Sequence, residues 1–153
     1  MTDDDLAAAL RAIATVRPDA DAVFALTARV TRDVLDAPSV VVAAADGPRL
    51  VARAVAGHPV VAVGEALPRD HSIAGHVVDT GQPALCVDGW ADERTDLAHN
   101  LAHRTRSSVV APLIYLGETL GCVSALSEQA GAFGPDDLEQ VSLVADVAAS
   151  RLA

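Results

Sequence analysis

The sequence predicts an α+β domain, and three observations carry that reading. Apolar residues recur at helical spacing near both chain ends. Two pairs of short apolar runs are each joined by a tight turn and read as antiparallel hairpins. The helical and extended segments do not alternate in the way that builds a doubly wound parallel sheet. With 153 residues and no internal repeat, low-complexity tract or linker, the whole of 1–153 reads as one domain with a sizeable core.

From Thr2 to Val16, Leu6, Leu10 and Ile13 recur at helical spacing, and Asp3, Asp4 and Asp5 suit a helix N-terminus. "RPDAD" breaks this pattern. Pro18 and the acids after it open a second helix to about Asp36, with Val23, Leu26, Val30 and Val34 on one face. "VVVAAAD" (40–46) and "RLVARAVAG" (49–57), joined by Gly-Pro, form the first hairpin. "HPVVAVGEALPRD" reads as loop with a short extended piece. In "HSIAGHVVDTGQP" (71–83), Ser72 caps a short helix that Gly81 and Pro83 terminate. "ALCVDGW" (84–90) reads as a strand, and "ADERTDLAHNLAHRTR" (91–106) as a helix broken at its start. "SSVVAPLIYL" and "TLGCVSALSE" form the second hairpin around Gly117. Pro135 and two acids start the last helix, Asp136 to Leu152.

The composition narrows the function classes. Half the residues are apolar, and aromatics are confined to Trp90, Tyr115, Phe24 and Phe133, so packing must be aliphatic. Every basic side chain is Arg, which leaves no Lys for Schiff-base chemistry. A net charge of −10, with no basic run, argues against nucleic-acid binding and against anionic membranes. No apolar run approaches the ~20 residues that span a bilayer. The acidic start "MTDDDLAAAL" lacks the basic segment of a signal peptide, so the expected location is cytoplasmic. Cys86 and Cys122 sit in strand-like contexts and read as small buried hydrophobes.

The stretch "SIAGHVVDTGQPALCVDGWADERT", an Arg-Ser before a strand containing "APL", the hairpin "GETLGCVSAL" and the close "FGPDDLEQVSLVADVAASRLA" together resemble the GAF family of small-molecule sensor domains. The resemblance covers the chain from the second helix onward. It implies an antiparallel sheet of five or six strands with the terminal helices on one face. A helical roof around 71–80 and 90–104 would cover a ligand pocket on the other face. Members of the family bind cyclic nucleotides, bilins, haem, flavonoids or small metabolites, and others serve only in dimerisation. Family membership therefore does not name a ligand, and the cofactor stays unknown.

"HNLAH" poses the sharpest question about chemistry. His99 and His103 share one helix face and could bind one metal ion. A zinc hydrolase would need Glu where Asn100 stands, and Asn cannot take a proton. The main reading is a polar roof helix with solvated histidines. The alternative is a haem-binding redox or gas sensor using His103 or His99, because some haem-binding members place an axial His just before the Arg-Ser. Bilin attachment would need a roof cysteine, and the free methionine sulfoxide reductases of this family use a cysteine where "LAHRTRSS" has none. The Asn-Lys-Phe-Asp-Glu sequence of cyclic-nucleotide binders is also missing.

The expected pocket rim comprises His76, Trp90, His99, His103 and Arg106, with Arg106 paired to an anionic ligand or to Asp92, Glu93 or Asp96. In the last helix, Leu138, Val141, Ala145, Ala148 and Leu152 follow coiled-coil spacing, and Leu143 and Val147 supply a second apolar face. With Leu6, Leu10 and Ile13 of the 1–16 helix, the stripe reads as a homodimer interface that Ala145→Glu or Ala148→Glu would disrupt.

The expectation is thus a non-enzymatic sensing or regulatory domain that passes ligand binding to a partner protein through a helical homodimer. The alternatives are the haem sensor and a dimerisation module without ligand. An enzyme is not expected, for want of a nucleophile–base pair, a complete metal set or a phosphate loop.

Overall fold

The computed structural model describes residues 2–153. Met1, at the head of the expected 1–16 helix, lies outside the described residues. The elements run α1 (Asp3–Thr15), α2 (Ala20–Leu35), β1 (Ser39–Asp46), β2 (Arg49–Gly57), β3 (Ala66–Leu67), α3 (Ile73–Thr80), β4 (Ala84–Cys86), α4 (Leu97–Ala102), β5 (Ser107–Tyr115), β6 (Glu118–Ser127) and α5 (Pro135–Leu152).

Local chemistry sets most of the boundaries. Thr2 and Asp5 form a reciprocal capping box on α1, and the Asp19 carboxylate caps α2. The Ser72 hydroxyl caps α3, and Gly81 ends it in the left-handed conformation at φ 69. Pro135 opens α5, and the Asp137 carboxylate accepts from the Gly134 N–H.

The six strands form one antiparallel sheet in the order β3-β2-β1-β6-β5-β4. Its two faces have different chemistry. One carries Val40, Val42, Val109, Ala111, Leu113, Val123 and Ala125 against Val23, Val34, Val141, Val144 and Ala148 of α2 and α5. This is the aliphatic core, and α1 closes it through Ile13. The opposite face carries Ala43, Cys86, Val110 and Cys122 under Ile73, Val77 and Val78 of α3. Ser108 and Ser124, one position out of phase with the core residues beside them, share this second face.

Two expected elements are shorter in the structure. The strand at 84–90 stops at Cys86, and the helix at 91–106 shrinks to Leu97–Ala102. The reason is local: Asp92 Oδ1 accepts from the Arg94 N–H, Thr95 Oγ1 donates to the Gly89 carbonyl, and Asp96 caps a new helix.

The expected dimer stripe needs correction. Ile13, Val141 and Ala145 are 0% exposed and Ala148 is 1% exposed within a single chain. They pack against the chain's own sheet and neighbouring helices, so no partner can reach them. Leu6, Leu10, Leu138 and Leu152 are half-buried against the same core. On α5, Leu143 is 42% exposed, and Val147 is half-buried against the core like Leu138 and Leu152. No helix among the described residues is long and apolar enough to cross a membrane.

Candidate functional site

A cavity of about 100 Å³ lies between the second sheet face and the roof. Val41, Val110, Ser108 and Ser124 form its floor, Ile73 and Cys86 form its sides, and His99, Asn100 and His103 cover it. The serine hydroxyls reach it because strand alternation points them away from the aliphatic core.

None of the six residues of α4 is buried, so this part of the roof is positioned mainly by hydrogen bonds. The Asp96 N–H donates to the His71 carbonyl at 2.7 Å. Thr95 Oγ1 and Asn100 Nδ2 both donate to the Gly89 carbonyl, at 2.6 and 3.1 Å. A Cβ at Gly89 would lie 2.7 Å from Asn100 Nδ2, so a larger residue there would push the Asn100 side chain off its tether. Asn100 is therefore a tether of the roof.

The histidine rings lie 4.3 Å apart, centroid to centroid. His103 Nδ1 sits 3.0 Å from the Val60 carbonyl oxygen and donates to it. Burial holds the His99 pKa below the ordinary imidazole value, the His103 charge adds to this, and Asp96 and Glu65 oppose it. Among the described residues no three His, Cys, Asp or Glu side chains gather to hold a metal ion. A haem macrocycle does not fit a cavity of about 100 Å³.

Arg106 lines the cavity but pairs outward. Its Nε and Nη2 donate to the two oxygens of Asp88, each at 3.0 Å, and its guanidinium stacks 4.1 Å over the Trp90 ring. The partner is Asp88, not the expected Asp92, Glu93 or Asp96. Hydrogen bonds from Arg106 and from the Trp90 N–H hold the Asp88 carboxyl below its usual range.

Arg94 ties the segment before α4 to the sheet. Its Nη2 donates to Asp92 Oδ2 at 2.6 Å and to the Leu85 carbonyl at 3.1 Å. The Arg94 hydrogen bond is the main cause that takes the Asp92 carboxyl down from 3.8 to about 2. Burial, and then Asp92, push the Cys86 thiol up to about 11, so it is protonated at neutral pH. A carboxyl lowered on folding adds stability above its unfolded value and loses it as pH falls through the folded one. The Asp92–Arg94 strap is therefore expected to weaken from about pH 4 to pH 2. Asp92→Asn should remove on the order of 1–2 kcal/mol at neutral pH, after screening at the exposed side of Arg94, and flatten that acid limb. Urea unfolding at stepped pH measures both effects.

Of the expected rim residues, His99, His103 and Arg106 line the cavity. His76 is exposed on the far side of α3, and Trp90 stacks outside on Arg106, so neither reaches it. The sequence reading missed Cys86, Ser108, Ser124 and the 58–65 loop. The serines left a signal, as polar positions out of step with otherwise apolar strands. The loop left none.

A model of the GAF domain family matches residues 19–152. No curated protein matches the chain. Among solved structures, the chain is similar to a free methionine-R-sulfoxide reductase from Neisseria meningitidis in complex with its substrate, at 21% identity and TM-score 0.82, covering 99% of this chain and 92% of that one. It is similar to the GAF domain of an Acinetobacter phosphoenolpyruvate-protein phosphotransferase at 14% identity and TM-score 0.83, covering 99% and 94%. A methyl-accepting chemotaxis protein matches at 22% identity and TM-score 0.76, covering 96% and 94%. The reductase match overturns the expectation that the chain is not an enzyme, because the same fold carries catalysis in that protein. The missing roof cysteine speaks only about one placement of a nucleophile, and a thiol, Cys86, does line the cavity.

Proposed function

The chain belongs to the GAF domain family, and from that premise we propose that it is a ligand-binding sensor or regulatory domain whose ligand lies between sheet and roof. The single observation that carries this reading is the difference between the two sheet faces. A face serving only as core has no use for the Ser108 and Ser124 hydroxyls, the Cys86 thiol and two imidazoles around one cavity.

The charges narrow the ligand class. The guanidinium of Arg106 is already matched by Asp88, and burial favours neutral His99. A net anion would find no free cation. The cavity suits a small molecule without net charge, largely aliphatic, with one or two hydrogen-bonding groups. Thermal unfolding against a panel of such metabolites tests this, with free methionine sulfoxide plus a thiol reductant included because the Neisseria protein acts on that class. The expected result is stabilisation by a panel member that His99→Leu and Ser124→Val each reduce. A panel that stabilises neither the parent nor a roof-tethered variant would overturn the reading.

In the same proposal, two copies associate through the outer edge of α5, and ordering of α4 on binding shifts the balance between two states of the dimer that a partner protein reads. The exposed Leu143 supports this edge as the contact. Leu143→Glu is expected to give a monomer in analytical ultracentrifugation with unchanged thermal stability. A parent chain that is monomeric at high micromolar concentration would exclude the dimer.

A further inference from the structure

The sheet and the helices on it bury several hydroxyls, and their surroundings differ. Ser39 Oγ donates to the His58 carbonyl and Ser107 Oγ to the Gln129 carbonyl, each at 2.6 Å. Ser127 Oγ accepts from the Gln129 N–H at 3.1 Å, and Thr27 Oγ1 of α2 donates to the Val23 carbonyl at 2.7 Å. Ser108 and Ser124 are buried to the same degree, at 5% and 6% exposed. Among the described residues, neither of their hydroxyls bonds to a nitrogen or oxygen of the chain. Ser124 has only the Cys122 thiol beside it, a weak partner. Thr31 Oγ1 is the one fully enclosed side-chain oxygen without a partner among the described residues. The two serine oxygens are open on one side, and that side is the cavity under the roof.

Strand register sets the two hydroxyls close together. Ser108 of β5 pairs with Leu126 of β6, and Ser124 pairs with Val110. The serines are thus diagonal neighbours on one face of adjacent strands, with Cβ atoms about 7 Å apart or less. Val41 and Val110 flank them in the floor, so a ligand resting there meets two donors in an aliphatic setting. A carbonyl oxygen has two lone pairs and can accept from both. Across the cavity stands His99. Burial, and then the His103 charge, hold its pKa below the ordinary imidazole value. At neutral pH its ring therefore offers one N–H donor and one bare nitrogen. With a ligand oxygen taken by the floor, the bare nitrogen is left to accept an N–H.

We infer that the roofed cavity selects an uncharged carboxamide, its carbonyl oxygen held between the Ser108 and Ser124 hydroxyls and its N–H turned to His99. The inference rests on the roofed cavity being the ligand site. A carboxylate has the oxygen but lacks the N–H. It would also bring negative charge to a cavity whose Arg106 is already held by both oxygens of Asp88, and whose His99 stands near Asp96 and Glu65. A ketone has nothing to donate to His99. The cavity of about 100 Å³ limits the enclosed part to a small acyl group. A hydroxyl that bonds to nothing in the chain adds nothing to the fold by hydrogen bonding, so its value lies in what enters the cavity.

Isobutyramide, 3-methyl-2-butanone and isobutyrate share one shape and differ only in the amino, methyl or oxyanion group on the carbonyl carbon. NMR titration of the chain with each probe at neutral pH gives both affinity and location. Isobutyramide is expected to bind in the roughly millimolar range of so small a molecule, with its largest shifts at Ser108, Ser124 and His99. The ketone and isobutyrate should each bind about fivefold more weakly, the scale of one hydrogen bond. Ser108→Ala and Ser124→Ala should each weaken isobutyramide by a similar factor, and His99→Leu should erase the preference for amide over ketone. Without any probe, both alanine variants should unfold within about 2 °C of the parent or above it, because they remove no bond of the folded chain. A larger drop in the midpoint would show that the hydroxyl serves the fold and would overturn the inference. So would equal affinity for the three probes, tighter binding of isobutyrate, or amide shifts confined to the other cavity, beside His58 and Arg104. If no probe shifts a resonance of the roofed cavity, the reading of that cavity as the ligand site falls too. A ketone or carboxylate that binds there best keeps that reading and removes only the amide.

Discussion

Gly75→Ala is expected to cost roughly 3 kcal/mol of stability and to lift the roof from the sheet. Overpacking against backbone is among the few single changes of that size. Gly75 lies in the first turn of α3, where its N–H donates to the Ser72 hydroxyl at 3.0 Å. A Cβ built there collides with the carbonyl group and Cα of Arg69. Arg69 cannot give way freely, since its side chain is anchored to Asp79 and to the Gly47 carbonyl, each at 3.0 Å. The helix must move instead, and Ile73, Val77 and Val78 lose their contact with the floor. Urea denaturation gives the loss of stability. Faster disulfide labelling of the cavity thiol Cys86 by methyl methanethiosulfonate, measured under native conditions, shows that the roof is what moved. A midpoint equal to the parent's would mean that α3 does not depend on this close approach.

Ala148→Glu is expected to unfold the chain, with a loss of about 4 kcal/mol or more, and not merely to separate two subunits. Ala148 is 1% exposed and packs in the aliphatic core with Val141, Val144 and Ala145. Those neighbours are aliphatic, and a buried charge without a matching cation is among the costliest substitutions known. Circular dichroism on the purified variant decides between the outcomes. A folded monomer would restore the coiled-coil stripe as an interface, whereas an unfolded or aggregated chain places the stripe in the core. The contrast with Leu143→Glu matters, because Leu143 faces water on the same helix.

How legible the fold was depended on how local its causes are. The helix ends set by Ser72, Gly81 and Pro135 were readable, and so were both hairpins, whereas the caps Thr2, Asp19 and Asp96 were not singled out. The stripe on α5 was read correctly as apolar and wrongly as intermolecular. Spacing shows that a face must be covered but not what covers it, and here β5 and α2 do so. The segment at 91–106 was misread for a related reason. Its charge pattern fits a helix, but Asp92 and Thr95 bond with neighbouring backbone instead and delay its start to Leu97. At the site, His99, His103 and Arg106 were found by chemistry. His76 and Trp90 share that chemistry and point elsewhere: helical phase puts His76 on the outer side of α3, and Trp90, in the turn after β4, stacks on Arg106.

The attachment of α4 has a consequence for how sequences of this architecture can diverge. A helix with no buried residue, fastened largely through main-chain carbonyls such as those of Gly89 and His71, makes few demands on its own side chains. Its inward positions can be exchanged at little risk to the aliphatic core on the other side of the sheet. Residues around the cavity and residues of the aliphatic core thus lie on opposite faces of one sheet and can accumulate changes almost independently. The cavity lining can be rewritten while Asp96, Thr95, Asn100 and Gly89 continue to hold the helix in place.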